Sequence, residues 1–220
     1  MGDASGWSND QTEIAITQMG EGRNLITTFT AADGSGESRP PLEMGIFRLD
    51  KLWNRFTTMS MNPDVPLSVF EIDPQDPTGT KEILEIEGGF MGEISPDGTL
   101  VAFSDEKEIF CKRVSGSEGL WQVSREGGSF CKWSPDAGTL YYTSRSFDAI
   151  FAVDVVHQPS LRFGAPQKIL DARQLGLSLI QGWDVAPDGK RILALKTDPE
   201  ENLDDAISLI TNWYDEFRSK

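Results

Sequence analysis

The 220-residue chain predicts an all-β fold, a β-propeller of four-stranded antiparallel blades with about five blade units. Three observations carry that expectation. A short string recurs: Ile94-Ser95-Pro96-Asp97-Gly98-Thr99-Leu100 returns as Trp133-Ser134-Pro135-Asp136-Ala137-Gly138-Thr139 and again as Val185-Ala186-Pro187-Asp188-Gly189-Lys190-Arg191. With Asp as the anchor, five copies appear at Asp10, Asp50, Asp97, Asp136 and Asp188, spaced by 40, 47, 39 and 52 residues. That period is close to the roughly 40–50 residues of a four-stranded propeller blade. The segments between anchors are rich in Val, Ile, Phe, Tyr and Thr at strand spacing, and Gly, Pro, Asp and Ser clusters bound them.

Each blade element follows from its residues. The weaker copies are Trp7-Ser8-Asn9-Asp10 and Phe47-Arg48-Leu49-Asp50, the second lacking both Pro and Gly. In every copy the residue three before the Asp is large and apolar: Trp7, Phe47, Ile94, Trp133 and Val185. These are read as blade-core anchors at the end of a first strand. In the turn, Pro96, Pro135 and Pro187 preset φ, the Asp bonds a nearby backbone N–H, and Gly98 or Gly189 supplies a positive φ. Second strands are expected at Thr99–Ser104, Thr139–Ser144 and Arg191–Lys196. Third strands are expected at Asn24–Ala31, Leu67–Ile72, Glu108–Val114, Ala149–Val155 and Ile207–Trp213. Shorter fourth strands fall at Glu37–Leu42, Lys81–Ile86, Leu120–Ser124 and Gln167–Leu170. Asp73–Thr80 reads as a turn, Glu200–Asp205 as a loop, and Trp213–Lys220 as one terminal helical turn. The units run 1–43, 44–87, 88–125, 126–173 and 174–220 in one domain without a linker. A lone meander leaves its faces open, and stacking successive sheets radially covers them.

Composition narrows the function classes. Asp and Glu total 35 against 20 Lys and Arg, for a net charge of −15. Such a chain does not hold a phosphate backbone by counterion release, so no nucleic-acid partner is expected. Anionic membrane surfaces repel it, and no apolar run reaches the roughly 18 residues of a membrane span. The first ten residues have neither a basic nor an apolar region of a secretory signal, and Gly6 stands where N-myristoylation wants Ser or Thr. One His and two Cys rule out a His-rich or four-thiolate metal site and a disulfide scaffold.

The remaining candidate residues each have a functional and a structural reading. The anchors Asp10, Asp50, Asp97, Asp136 and Asp188 form either a ring of acids at one propeller end or, as preferred, the bonding partners of their own turns. Trp7, Trp133 and Trp183 are ligand platforms or, as preferred, core between blades. Cys111 and Cys131 read as buried thiols in preference to a disulfide. His157 precedes Pro159 in a loop and has no Gly-x-Ser-x-Gly elbow to serve. The acidic run Asp198–Asp205 lacks the calcium-loop spacing. Gly20-Glu21-Gly22 and Gly34-Ser35-Gly36 lack the Lys of a phosphate loop and read as hairpin turns. No catalytic residue, cofactor or metal ligand is assigned.

The Ser-Pro-Asp-Gly string, followed by an apolar strand and repeated at about forty residues, resembles the TolB-like (WD-like) β-propeller repeat of bacteria. Leu120–Ser124 with Gly127-Gly128 and Trp133–Asp136 is similar to the last blades of propellers fused to bacterial eukaryotic-like serine/threonine protein kinases. So is Gly182–Arg191, followed by Ile207–Trp213 and Glu216–Arg218, while Ala31–Glu37 resembles a third-to-fourth strand turn of that group. No kinase glycine loop, His-Arg-Asp or Asp-Phe-Gly is present, so no catalytic residue carries over. The resemblance implies a binding or scaffold module with a protein partner or small ligand on a propeller face. It also implies an extracytoplasmic setting in a kinase-linked protein. The alternative is a propeller hydrolase or lyase, or the propeller gate of a serine peptidase. Closed relatives usually have six or more blades, so five anchors imply either the C-terminal part of a longer ring or a five-unit array. An open array exposes strand edges, and self-association is then expected.

Overall fold

The computed structural model describes residues 3–8, 12–20, 25–50, 54–58, 65–73, 79–116, 119–186, 188–196 and 206–210. Five antiparallel blade sheets follow one another along the chain. The first contains β1 (Asp3–Trp7), β2 (Glu13–Met19), β3 (Leu25–Ala31) and β4 (Glu37–Leu42). The second contains β5 (Ile46–Leu49), β6 (Arg55–Thr58), β7 (Leu67–Ile72) and β8 (Thr80–Ile86). The third contains β9 (Phe90–Ile94), β10 (Leu100–Ser104), β11 (Ile109–Arg113) and β12 (Leu120–Gln122). The fourth contains β13 (Ser129–Trp133), β14 (Thr139–Thr143), β15 (Ala149–Val156), β16 (Arg162–Phe163) and β17 (Gln167–Asp171). A four-residue helix, α1 (Ala172–Leu175), leads into the fifth blade, β18 (Leu177–Val185), β19 (Ile192–Lys196) and β20 (Ala206–Ile210).

Strand neighbours in each sheet are neighbours in sequence, as short turns require, with one exception. β15 is long enough for two partners: Val155 and Val156 pair with β16, and Ala149–Ala152 pair with β17. Neither β16 nor α1 is expected from the sequence. α1 is capped by Asp171, whose side chain accepts from the Gln174 N–H, and it ends at Gly176 with φ 65°. Asp and Gly flanking four residues was the available signal.

One register repeats. The residue ending each first strand faces the residue seven positions later: Trp7 with Ile14, Leu49 with Phe56, Ile94 with Val101, Trp133 with Leu140, and Val185 with Ile192. This corrects the anchor of unit two. Leu49, not Phe47, occupies the place of Ile94 and Trp133, and Asp50 occupies the place of Ser95 and Ser134, not of Asp97. Asp50 Oδ1 accepts from the N–H groups of Asn54 and Arg55, as Ser95 and Ser134 Oγ accept from those of Leu100 and Thr139. Phe47 is half-buried, with the Arg48 guanidinium 4.9 Å above its ring. Counted from the strand ends, the spacings become 42, 45, 39 and 52.

Every first strand is irregular. Register shifts fall between Ala4 and Gly6, Ile46 and Arg48, Phe90 and Glu93, Ser129 and Cys131, and Ser178 and Trp183. Met91 and Phe130, at equivalent positions in the third and fourth blades, have φ of 53° and 31°. An added residue at such a bulge bends the strand and increases its twist.

The chain divides into two compact units, Met1–Asp105 with Lys112–Leu120, and Glu106–Cys111 with Trp121–Lys220. Unit one is centred on Ala15, Phe29, Leu42, Ile46, Phe56 and Ile72, and Phe56 stacks on Phe70 at 5.3 Å. Its buried hydroxyls are satisfied: Thr57 Oγ1 donates to the Gly92 carbonyl at 2.7 Å, and Thr17 and Thr27 lie 2.8 Å apart beside the backbone of Ile46 and Met44. On β4, Pro40 and Pro41 supply no N–H to a further strand, which blunts that edge. Unit two is centred on Tyr141, Ile150, Ile169, Leu170, Leu179, Trp183 and Ile192.

Gly128 makes room for close packing in unit two. A Cβ there lies 2.7 Å from Ile109 Cγ1 and 2.9 Å from Tyr142 Cδ2, both on buried side chains. Gly128→Ala is therefore expected to destabilise by about 1–3 kcal/mol, the usual cost of overpacking. Denaturant unfolding measures it, and a midpoint equal to the parent's contradicts the packing account.

Candidate functional site

The repeated turns bring the candidate acids to the ends of the blades. Asp97 Oδ1 accepts from the Ser95 hydroxyl at 2.5 Å, the Thr99 N–H at 3.1 Å and the Thr99 hydroxyl at 2.9 Å. Asp136 Oδ1 accepts from the Ser134 hydroxyl at 2.6 Å and the Gly138 N–H at 3.0 Å. Asp188 accepts from the Lys190 N–H at 2.9 Å and from Arg191 Nε at 2.8 Å. The Lys190 N–H, then Arg191 and Lys190 as charges, hold the Asp188 carboxyl below its ordinary value. These carboxylates hold their own turns. Gly98 and Gly189 have φ of 71° and 65°, and the fourth blade uses Ala137 at 56° in the same place.

Two of these turns line one cleft in unit two. Ser134, Pro135, Asp136, Thr139 and Tyr141 of the fourth blade face Asp188, Gly189 and Lys190 of the fifth around about 350 Å³. It is half-open and mixed in charge, so it suits a side chain or a small polar group better than an apolar ligand.

The other described candidates lie in or against the core or bond to backbone. Trp133 and Trp183 are each 7% exposed and packed in the core, and Ile94 is buried. Val185 is partly buried against the unit-two core. Cys111 and Cys131 are both buried and form no disulfide with each other. His157 Nε2 lies 2.9 Å from the Ala137 carbonyl. A carbonyl only accepts, so Nε2 carries the proton and is committed to the turn. Asp10, Pro187, the run Asp198–Asp205 and the Trp213–Lys220 turn lie outside the described residues, as do the side chain of Trp7 and Glu21-Gly22. Among the described residues no group of three His, Cys, Asp or Glu is arranged to hold a metal, and no helix is long and apolar enough to cross a membrane.

A polar knot not expected from the sequence closes the β14–β15 turn. Asp148 Oδ1 accepts from the hydroxyls of Ser144 at 2.6 Å and Ser146 at 2.7 Å, and Oδ2 pairs with Arg173 at 2.9 Å. The Ser144 and Ser146 hydroxyls, then the Arg173 charge, hold the Asp148 carboxyl below its ordinary value of 3.8. A carboxyl lowered on folding contributes stability that is present above its unfolded value and lost as pH falls through the folded one. Asp148→Asn is thus expected to lower the melting temperature near neutrality and to flatten its fall at acid pH. Parallel acid limbs in the two proteins contradict this. The signal was the string Ser144-Arg145-Ser146-Phe147-Asp148, with hydroxyls two and four residues before an acid.

No family model and no curated protein matches the chain. Solved structures do. A protein assigned as TolB from Agrobacterium tumefaciens superposes with a TM-score of 0.66 at 15% identity, over 97% of this chain and 78% of that one. The Cps50 (Swd1) β-propeller domain from Myceliophteria thermophila gives 0.63 at 9% identity, over 94% and 67%. A periplasmic gluconolactonase from Pseudomonas aeruginosa gives 0.55 at 12% identity, over 94% and 72%. The chain is therefore an all-β, five-bladed β-propeller. It is related in fold to TolB and WD-like propellers, at identities that carry the fold alone.

Proposed function

We propose that this chain is a non-catalytic β-propeller binding module that engages a partner through its turn-bearing surface. The observation that supports it is the use of the polar residues: Asp97, Asp136 and Asp188 are spent on groups of their own turns, and His157 on the Ala137 carbonyl of the β13–β14 turn. A nucleophile–base pair, by contrast, needs two reactive groups aimed at each other and at a substrate. The net charge of −15 favours a partner with a basic face. A kinase-linked, extracytoplasmic setting is part of the proposal and rests on the resemblance of the C-terminal blades.

The likeness to a gluconolactonase keeps a second reading in view, a propeller hydrolase or the gate of a peptidase. The experiment is a turnover assay of the purified chain on lactone, ester, peptide and glycan substrates, beside a cross-linking search for partners that the Asp136→Lys variant loses. Turnover at the level of buffer and a partner lost on charge reversal are expected. Robust turnover abolished by His157→Ala overturns the binding-module reading.

A further inference from the structure

The same position between two neighbouring blades is filled in unit one and open in unit two. In the second blade, Arg55 begins β6 and faces Glu71 across the ladder to β7. Its Nε and Nη2 donate to Glu71 Oε1 at 3.3 and 3.1 Å, and its Nη1 donates to the Gly98 carbonyl in the next blade's turn at 2.8 Å. The guanidinium lies against that glycine: a Cβ on Gly98 falls 3.2 Å from Arg55 Nη1.

The repeat register identifies the matching residues in unit two. Arg55 precedes Phe56, the partner of Leu49, as Thr139 precedes Leu140, the partner of Trp133. The backbone agrees, since Asp50 N–H donates to the Arg55 carbonyl and Ser134 N–H to that of Thr139. Across the ladder, Thr139 faces Asp154 as Arg55 faces Glu71. In the next blade, Gly189 matches Gly98: each N–H donates to the carbonyl three residues earlier, Ala186 and Ser95. The acid and the turn glycine are kept, while the arginine is replaced by a short threonine. Where Arg55 sits in unit one, unit two has the cleft lined by Thr139 and Gly189. Asp154 is exposed and forms no salt bridge among the described residues.

We propose that this cleft between the fourth and fifth blades receives the guanidinium of an arginine side chain from a partner protein. Asp154 accepts from it as Glu71 accepts from Arg55, and the Gly189 carbonyl accepts as Gly98 does. Asp136 adds negative charge at the rim, while Asp188 is already paired with Arg191. A guanidinium fits because its planar fork donates to a carboxylate and to a carbonyl at once, whereas an ammonium acts as a point charge. Lys190 also lines the cleft and is a rival cation at its edge. The inference rests on the binding-module reading and names the partner's chemistry. Its test uses no partner and no turnover, so the two fail separately.

The test titrates the isotope-labelled full chain with N-acetyl-arginine amide, with the neutral isostere N-acetyl-citrulline amide and with N-acetyl-lysine amide, following amide signals by NMR. Saturable shifts at Thr139, Asp154 and Gly189 are expected for the arginine probe, with affinity about fivefold or more above the other two. Asp154→Asn is expected to remove most of that preference. Thr139→Arg, which rebuilds the unit-one arrangement from within, is expected to abolish the response without lowering the melting temperature. Lys190→Ala is expected to strengthen it. Equal responses to arginine and citrulline probes, or an arginine response unchanged in Asp154→Asn, overturn the proposal. A response weakened by Lys190→Ala overturns it too, because removing a rival cation relieves charge repulsion on a guanidinium and does not weaken its binding.

Discussion

Phe56→Ala is expected to lower the unfolding free energy by about 3–5 kcal/mol, the cost of truncating a fully buried aromatic side chain. Phe56 is 0% exposed and sits at the middle of the unit-one core. One face of its ring stacks on Phe70 at 5.3 Å with 7° between planes, and Ile46 and Ile72 are buried around it. Its backbone is held on both sides, by Leu49 of β5 and by Phe70 of β7, so the surrounding strands cannot collapse into the space. A cavity that stays open adds its own cost to the lost burial. Domains of this size are stable by about 5–15 kcal/mol, so the variant forfeits a large share. Phe56→Leu, which keeps most of the volume, is expected to lose about half as much or less. Guanidinium unfolding of the three proteins decides. A loss under about 1 kcal/mol for the alanine variant contradicts this account of the core.

The strands were legible because each is a short run with its own boundaries. Glu37–Leu42 and Leu67–Ile72 are found with the ends read from sequence, and most others shift by one or two residues. In those runs β-branched and aromatic side chains coincide with polar turns, so local preference and burial agree. Three features depended on other parts of the chain. The bulges at Met91 and Phe130 are produced by pairing and leave no mark in residue type, since neither is glycine. β16 exists because β15 is long enough to hold a second partner, a property of the pair. The cleft appears only when Thr139 is set beside Gly189 from 50 residues further along, and its meaning appears only against Arg55 and Gly98. A repeat this divergent hides its substitutions until the register aligns them.

That register has its sharpest consequence at position 50. Asp50→Ala is expected to cost about 2–4 kcal/mol, whereas Asp50→Ser is expected to stay within about 1 kcal/mol of the parent. Asp50 is only 6% exposed, and its Oδ1 accepts from the Asn54 N–H at 2.9 Å and the Arg55 N–H at 3.1 Å. Alanine leaves both donors without that acceptor, and a partly buried donor so deprived costs about 1–3 kcal/mol. Serine places a hydroxyl where the first blade already uses one. Ser8 Oγ accepts from the N–H groups of Thr12 and Glu13, four and five residues on, at 3.1 and 2.9 Å. Asp50 bonds the residues at those same two separations. If Asp50 were instead the counterpart of Asp97, its acceptors would serve a group two residues on, as Asp97 serves Thr99. Serine would then recover only part of the loss, because a hydroxyl closes such a turn more weakly than a carboxylate. Guanidinium unfolding midpoints of the two variants separate the cases. A serine variant that tracks the parent places Asp50 with Ser95 and Ser134, and one that falls toward alanine returns it to the aspartate position of the repeat.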